Sequence, residues 1–406
     1  MKQQQHLFTN KMLRALLVPI IMEQLLNALM GTVDTMMVSN VGSAAISAVS
    51  LVDSINVLII QAFSALAAGG TIICTQYLGQ KNHEMANKSA RQALFIITAI
   101  SVFIVVLGLA FRAPLLSFIF GKVDADVMEN SMVYFFYTVL SYPFIALYDA
   151  GAAISTLVSR IFCAVVVLYQ LRKDRQPIVV RDYLKIRPDG KMIGRILALG
   201  IPSGIENSMF QLGKLAIQST VSTLGTTAIA AQAMTNMLEM LNGTAVIGVG
   251  IGLMTVVGQS LGAGKKDEAV YYMKKLMIFS EVFLIACCAV VYVLARPITM
   301  IGGMEAKSAK MCLDMMFWIT IVKPIVWMFA FIPAYGMRAA GDVKFSMITS
   351  CITMWIFRFC LCVYLIRVCG MGPMAVWIGM FTDWSVRAIV FGLRFKSGKW
   401  MEHKVV

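Results

Sequence analysis

Pro19-Ile20-Ile21-Met22-Glu23 returns 183 positions further along the chain as Pro202-Ser203-Gly204-Ile205-Glu206. The same step carries Gly42-Ser43-Ala44-Ala45-Ile46 onto Gly225-Thr226-Thr227-Ala228-Ile229, and Gly69 onto Gly252. It also carries Gln76-Tyr77-Leu78-Gly79 onto Gln259-Ser260-Leu261-Gly262, Ala86 onto Ala269, and Pro114 onto Pro297. One ungapped register held over about 95 residues marks a duplication, so the chain consists of two homologous halves.

Around this repeat the composition is that of a membrane protein. Of 406 residues, 59% are apolar and only 14% charged, with a mean hydropathy of +0.78. Soluble domains carry roughly 45–50% apolar and about 25% charged residues, which excludes a soluble enzyme. At about 20 apolar residues per span, the apolar content suffices for roughly twelve helices and leaves no room for an extramembrane catalytic domain. The excess of 35 Lys and Arg over 21 Asp and Glu sits at the ends of apolar runs. That placement fits the positive-inside rule better than a nucleic-acid partner. Nine cysteines lie mostly within apolar stretches, form no CxxC pair, and read as small buried apolar residues. The first apolar run, from Met12, is too long for a signal peptide and lacks a small-residue cleavage site, so it is expected to remain as the first span.

The stretch Met132–Leu171 is 40 residues long, about twice what one crossing requires. It must either fold back or contain a segment that does not span. A polar, basic linker follows, with Arg172, Lys173, Arg175, Arg181, Lys185, Arg187 and Lys191 against Asp174, Asp182 and Asp189. Its charge places it in the cytoplasm and gives both halves the same orientation, as in a parallel repeat. The expected organisation is an N-terminal lobe over 1–171, a linker over 172–192 and a six-helix C-terminal lobe over 193–406. The first half is about 39 residues shorter than the second, and the shortfall falls after Ile154. The fold class is therefore an all-α integral membrane protein of two helical-bundle lobes, with about 11 membrane segments instead of 12.

Several of these pieces together resemble the multidrug and toxic compound extrusion (MATE) family. The resemblance is carried by Pro19 and Glu23, by Val33-Asp34-Thr35-Met36 and Gly42, and by Pro202-Ser203-Gly204-Ile205-Glu206. Gly258-Gln259-Ser260-Leu261-Gly262-Ala263-Gly264 and Gly336-Met337-Arg338-Ala339-Ala340-Gly341-Asp342 complete it. It covers nearly the whole chain and departs where the fifth helix should be, at Gly151 to Ser155. It implies twelve helices in two lobes that export small, amphipathic, cationic compounds in exchange for Na⁺ or H⁺. It also implies that a first-helix aspartate, here Asp34, serves in cation coupling.

Independently of any family, charge inside the bilayer is where function is expected, because a mid-membrane carboxylate costs about 2.5–3.5 kcal/mol on insertion scales. Glu23, Asn27 and Asp34 fall within about 40° of one another around a helix and line one face. Their carboxylates suit proton exchange or Na⁺ ligation through oxygen, so Asp34, Glu23 and Glu206 are the candidate ion-coupling residues, with Asp34 and Glu23 the candidate metal ligands. Asn207, Gln211 and Lys214 share a span with Glu206. Asp53 and Asn56 occupy the repeat positions of Asn236 and Glu239, so all of these are candidates for lining a substrate cavity with Asn27. Secondary candidates are Asp149, an Arg358–Asp383 pair, and Lys323, whose ammonium is expected to bind carbonyls freed by Pro324.

The remaining motifs exclude chemistry. Gly248-x-Gly250-x-Gly252 lies inside an apolar helix with no preceding strand and reads as close helix packing. His83-Glu84 lacks the second histidine of a zinc protease, and there is no phosphate-binding Gly-x-x-x-x-Gly-Lys loop. The expectation is a non-enzyme with no cofactor beyond the coupling ion and no nucleic-acid partner, acting as a monomer in the plasma (inner) membrane. The alternatives are a lipid-linked precursor flippase of the same superfamily, or a deletion variant without transport activity.

Overall fold

A computed structural model describes residues 7–38, 43–120, 125–143, 169, 187–301, 303–403 and 405. Ile154, Asp149 and most of the basic linker lie outside these. In an apolar solvent every backbone N–H and C=O must be satisfied within its own segment, and the chain answers with helices throughout, with no strand among the described residues. In order they are α1 (Asn10–Val38), α2 (Ser43–Gly79), α3 (His83–Ala110), α4 (Arg112–Phe120) and α5 (Ala125–Leu140). After the linker come α6 (Gly190–Val221), α7 (Thr226–Gly262), α8 (Lys266–Ile301), α9 (Ala306–Ala339), α10 (Val343–Arg367) and α11 (Met374–Ser397). Seven of them are long and apolar enough to cross a membrane. This is the all-α, two-lobe architecture expected from sequence, with about 11 segments.

The duplication is visible in the helix boundaries themselves. α2 and α7 are both 37 residues long, and each boundary of one lies 183 positions from that of the other, as do the starts of α3 and α8. α1 and α6 each contain an internal proline, Pro19 and Pro202. One difference is that α8 runs unbroken through Pro297, whereas its counterpart is interrupted at Phe111 between α3 and α4.

Two compact units form, and the boundary between them falls within α1 and within α6. The N-terminal unit is residues 29–208 and the C-terminal unit is residues 1–28 with 209–406. Inside the C-terminal unit the first half of α1 packs on α7: a Cβ at Gly252 would stand 2.4 Å from Leu17 Cδ2, and one at Gly248 would stand 3.0 Å from Ile21 Cα. The preceding segment binds α8, where the Phe8 N–H donates to Tyr272 Oη at 2.8 Å and the Leu7 N–H to Glu268 at 2.7 Å. The N-terminal unit repeats this with the first half of α6 on α2. A Cβ at Gly69 would stand 2.6 Å from the Ile196 carbonyl oxygen and 2.8 Å from Gly200 N. Here too the segment before the helix is fixed to the third helix of the half: Gln92 Nε2 donates to the Arg187 carbonyl at 2.7 Å, and Lys88 pairs with Asp189. An apolar core of this unit is built on Phe63, Leu66, Ile97, Leu116, Phe135 and Tyr142.

The Gly341-Asp342 motif ties the end of the chain to the α9–α10 turn. Gly341 takes a φ of +91°, which L side chains rarely adopt, and Asp342 accepts from Arg394 Nε at 2.8 Å and faces His403 Nε2 at 3.1 Å.

Two expected outcomes follow from this packing. At Gly69 an added methyl meets backbone atoms, which cannot move aside, whereas at Gly252 it meets the end of a leucine side chain. Gly69→Ala should therefore lower the thermal unfolding temperature in detergent markedly, at about 1–3 kcal/mol for overpacking, and Gly252→Ala much less. Second, Asp189 lies before α6, where the Lys88 ammonium and the N–H groups of Met192 and Lys191 hold its carboxyl below the ordinary carboxylate range. A depressed folded-state value means that this anchoring is complete above the ordinary carboxylate range and is lost as pH falls below that range through the depressed value. Proteolysis near residue 189 should accelerate on acidification, and Asp189→Asn should remove the pH dependence.

Candidate functional site

Charged residues lie within the apolar spans of both units, Glu206 in the N-terminal one and a larger group in the C-terminal one. α7, α8, α9, α10 and α11 each bring at least one charge near mid-helix, including Glu281 on α8, whose Oε2 is buried with no hydrogen-bond partner among the described residues, and the second half of α6 adds Lys214 about two turns from its end. Two ion pairs anchor the group. Lys323 on α9 has no exposed surface; its Nζ is 2.5 Å from Glu239 Oε1 and donates to the Glu239 carbonyl at 3.1 Å. The carbonyl that it binds is thus on α7, not one freed in its own helix by Pro324. Close approach is possible because residue 243 is glycine: a Cβ there would lie 3.3 Å from Lys323 Nζ.

The second pair is Arg387 with Asp383, one turn apart on α11 and both buried, with Nε 2.7 Å from Oδ1. Arg387 also donates to Ser350 Oγ at 3.0 Å and to the Ser350 carbonyl at 3.1 Å, which joins α11 to α10. Arg358, by contrast, is poorly served. It sits on a π-helical stretch of α10, Thr353–Cys360, against which α11 packs closely enough that a Cβ at Gly379 would be 2.9 Å from the Arg358 carbonyl oxygen. Such wide turns are frequent at functional sites. The Arg358 guanidinium is buried, stands 3.8 Å from Asp383 Oδ2, and touches Met354 Sδ at 3.7 Å. Its Nε has no hydrogen-bond partner among the described residues.

Phe210 on α6 connects these groups. Lys214 Nζ lies 5.0 Å from the centre of its ring, Arg358 Cζ 5.1 Å and Arg387 Cζ 5.9 Å. A cation over an aromatic face gains about 0.5–2 kcal/mol, whereas a buried ion loses several kcal/mol of hydration. The ring alone therefore does not compensate Arg358. The cluster holds four cations, Lys214, Lys323, Arg358 and Arg387, against two carboxylates, Glu239 and Asp383. One turn along α7 from Glu239, the buried amide of Asn242 has neither its donor nor its acceptor satisfied among the described residues.

The structure brings together some of the residues singled out from sequence and separates others. Lys214 and Glu239 belong to this cluster, and the Arg358–Asp383 pair forms. Asn236 is exposed and accepts from Gln232 Nε2 at 3.1 Å, while Gln232 Oε1 accepts from Trp377 Nε1 at 3.1 Å. Asn207 and Gln211 are half-buried on α6, and Glu206 is buried within the N-terminal unit. Asn56, also in that unit, is buried and accepts from Tyr142 Oη at 2.7 Å, a bond that holds α2 to the end of α5. Glu23 is an exposed residue of α1 in the C-terminal unit. The side chains of Asn27, Asp34 and Asp53 lie outside the described residues. No group of three or more His, Cys, Asp or Glu suited to a metal occurs among the described residues. Arg387 and Phe210 were not singled out from sequence. The Asp383-x-x-x-Arg387 spacing signals the first, since residues four apart face each other on a helix; no local pattern signals the second.

A decisive test of this geometry uses the Glu239–Lys323 pair. Glu239→Leu strands an ammonium that has no exposed surface, and should lower unfolding stability by about 3 kcal/mol. The double variant Glu239→Leu/Lys323→Met removes both charges and should recover most of that loss in thermal unfolding.

Known proteins agree with the fold and with the repeat. The probable multidrug resistance protein NorM of Thermotoga maritima is 22% identical, over 98% of this chain and 94% of its own length. The uncharacterized transporter YisQ of Bacillus subtilis is 25% identical over 95% of this chain and 93% of its own. A solved outward-facing structure of a multidrug resistance MATE family transporter superposes with a TM-score of 0.87, covering 95% of this chain and 96% of that one, at 17% identity. The MatE family model matches twice, over residues 19–168 and 202–364, and its two starting points, Pro19 and Pro202, are the prolines with which the repeat begins. With most of its length matched in both halves, this chain belongs to the MatE family, the multidrug and toxic compound extrusion transporters.

Proposed function

We propose that the protein exports small amphipathic organic compounds, organic cations among them, across the plasma (inner) membrane in exchange for Na⁺ or H⁺. The observation that carries this reading is a cluster of charges at the middle of an apolar helical bundle, in a chain whose two halves both match MatE. Charges retained at that depth serve a path for ions or substrate far more often than they serve stability. The names of its relatives, which speak of multidrug resistance, point the same way.

Coupling is assigned to the acids of α1 and α6: Asp34 and Glu23, with Glu206 at the repeat position of Glu23. Protonation or Na⁺ binding there competes with a bound organic cation, and the two halves alternate in opening to either side of the membrane. Asn27, Asp53, Asn56, Asn207, Gln211, Lys214, Asn236 and Glu239 remain the proposed cavity-lining set, with Asn56 the least suited because its amide is engaged with Tyr142. The protein acts as a single chain.

Everted membrane vesicles test this directly. Accumulation of ethidium in the vesicle lumen should follow an imposed Na⁺ or H⁺ gradient that is higher inside the vesicle, and Asp34→Asn should abolish it while leaving the amount of protein unchanged. Full transport by Asp34→Asn would remove Asp34 from the coupling; no ethidium movement under either gradient would overturn the export of organic cations.

A further inference from the structure

Among the described residues, the groups joined by the two ion pairs and by Phe210 are four cations and two carboxylates. Glu239 is committed to Lys323, and Asp383 to Arg387. That leaves Lys214 and Arg358, both close to the centre of the Phe210 ring, without a dedicated counter-charge among the described residues. Lys214 is exposed as a residue, its ammonium stands 5.0 Å from the centre of the Phe210 ring, and it has no carboxylate within 4.0 Å among the described residues. Arg358 is buried, and among the described residues its one ion pair, at 3.8 Å to Asp383 Oδ2, is too long for a hydrogen bond and its Nε has no partner.

We propose that Lys214 and Arg358 form a binding site for the anionic group of an aromatic organic anion, whose apolar body lies against Phe210. A carboxylate or phosphate would receive charge-assisted hydrogen bonds from both donors, and the guanidinium fork is suited to two parallel bonds. It would also neutralise a local excess of charge that the bilayer otherwise penalises. Met354, whose Sδ touches Arg358 and whose Cε would be 2.3 Å from a Cβ at Gly213, supplies an adaptable apolar wall beside the ring. The range of ligands therefore extends beyond organic cations to amphiphiles that carry a negative group. This rests on the export reading only for the consequence that a bound anion is transported; binding itself stands independently. The anionic group belongs either to a soluble compound or to a lipid headgroup, and the chemistry of recognition is the same.

The test measures carboxyfluorescein binding to the purified full-length protein in a neutral detergent, by fluorescence anisotropy. Saturable binding is expected, weakened about tenfold by Lys214→Gln, as suits loss of one charge-assisted bond, and largely retained by Lys214→Arg. Because Lys214 is exposed, the folding of these variants is checked by an unaltered unfolding temperature. Absence of saturable binding to the native chain, or equal binding by Lys214→Gln, overturns the proposal. Displacement by phosphatidylglycerol assigns the site to a lipid headgroup, and resistance to it assigns the site to a soluble anion; either supports an anion site. In proteoliposomes, binding of carboxyfluorescein with no movement of it or of ethidium would sink the export reading and leave the site standing. Ethidium transport with no carboxyfluorescein binding would do the reverse.

Discussion

At the centre of the C-terminal unit an ammonium with no exposed surface, that of Lys323, is held by both the carboxylate and the carbonyl of Glu239. Much of this unit's arrangement depends on that contact. In a bilayer the hydrophobic effect does not distinguish a helix from a lipid tail, so helices associate through close packing and polar bonds. The Lys323–Glu239 pair supplies the bond and Gly243 the close packing, and together they set the spacing of α7 and α9. Arg387, joined to Asp383 and Ser350, does the same for α10 and α11. Charges that favour neither insertion nor folding by themselves thus become the elements that fix which helices are neighbours.

The repeat was fully legible in the sequence because it depends on register alone. A step of 183 recovers the boundaries of α2 and α7 and the starts of α3 and α8, since glycines and prolines recur at the same positions in the sequence. Which partner each helix chooses was not legible. Leu17 and Gly200 occupy equivalent positions, yet periodicity does not say that Leu17 meets Gly252 or that Gly200 meets Leu66. Those contacts follow from three-dimensional closure. The shortened region around Ile154, the strongest irregularity in the sequence, lies outside the described residues.

For the candidate site the sequence pointed to the right residue types and to only part of the arrangement. Glu239 and Lys214 were visible as polar residues in apolar spans. Their company was not, because Lys323, Arg358 and Asp383 come from helices separated by up to 144 positions from Glu239. Taken one at a time each charge suggests a local pair; taken together they make a surplus of positive charge. That surplus does not follow from the acids of α1 and α6, and it appears only once the helices are assembled around Phe210.

The division of α1 and α6 between the two units bears on how such a chain arose. The first half of α1 completes the unit built by the second copy of the repeat, and the first half of α6 completes the unit built by the first. A single ancestral copy would leave the glycine-lined groove of its second helix vacant and its own leading helix undocked. Two separate copies could satisfy both needs by exchanging leading helices, as in a swapped dimer. Fusion of two such copies end to end would preserve that exchange within one chain, so neither half of the present polypeptide carries all the surfaces of a complete bundle.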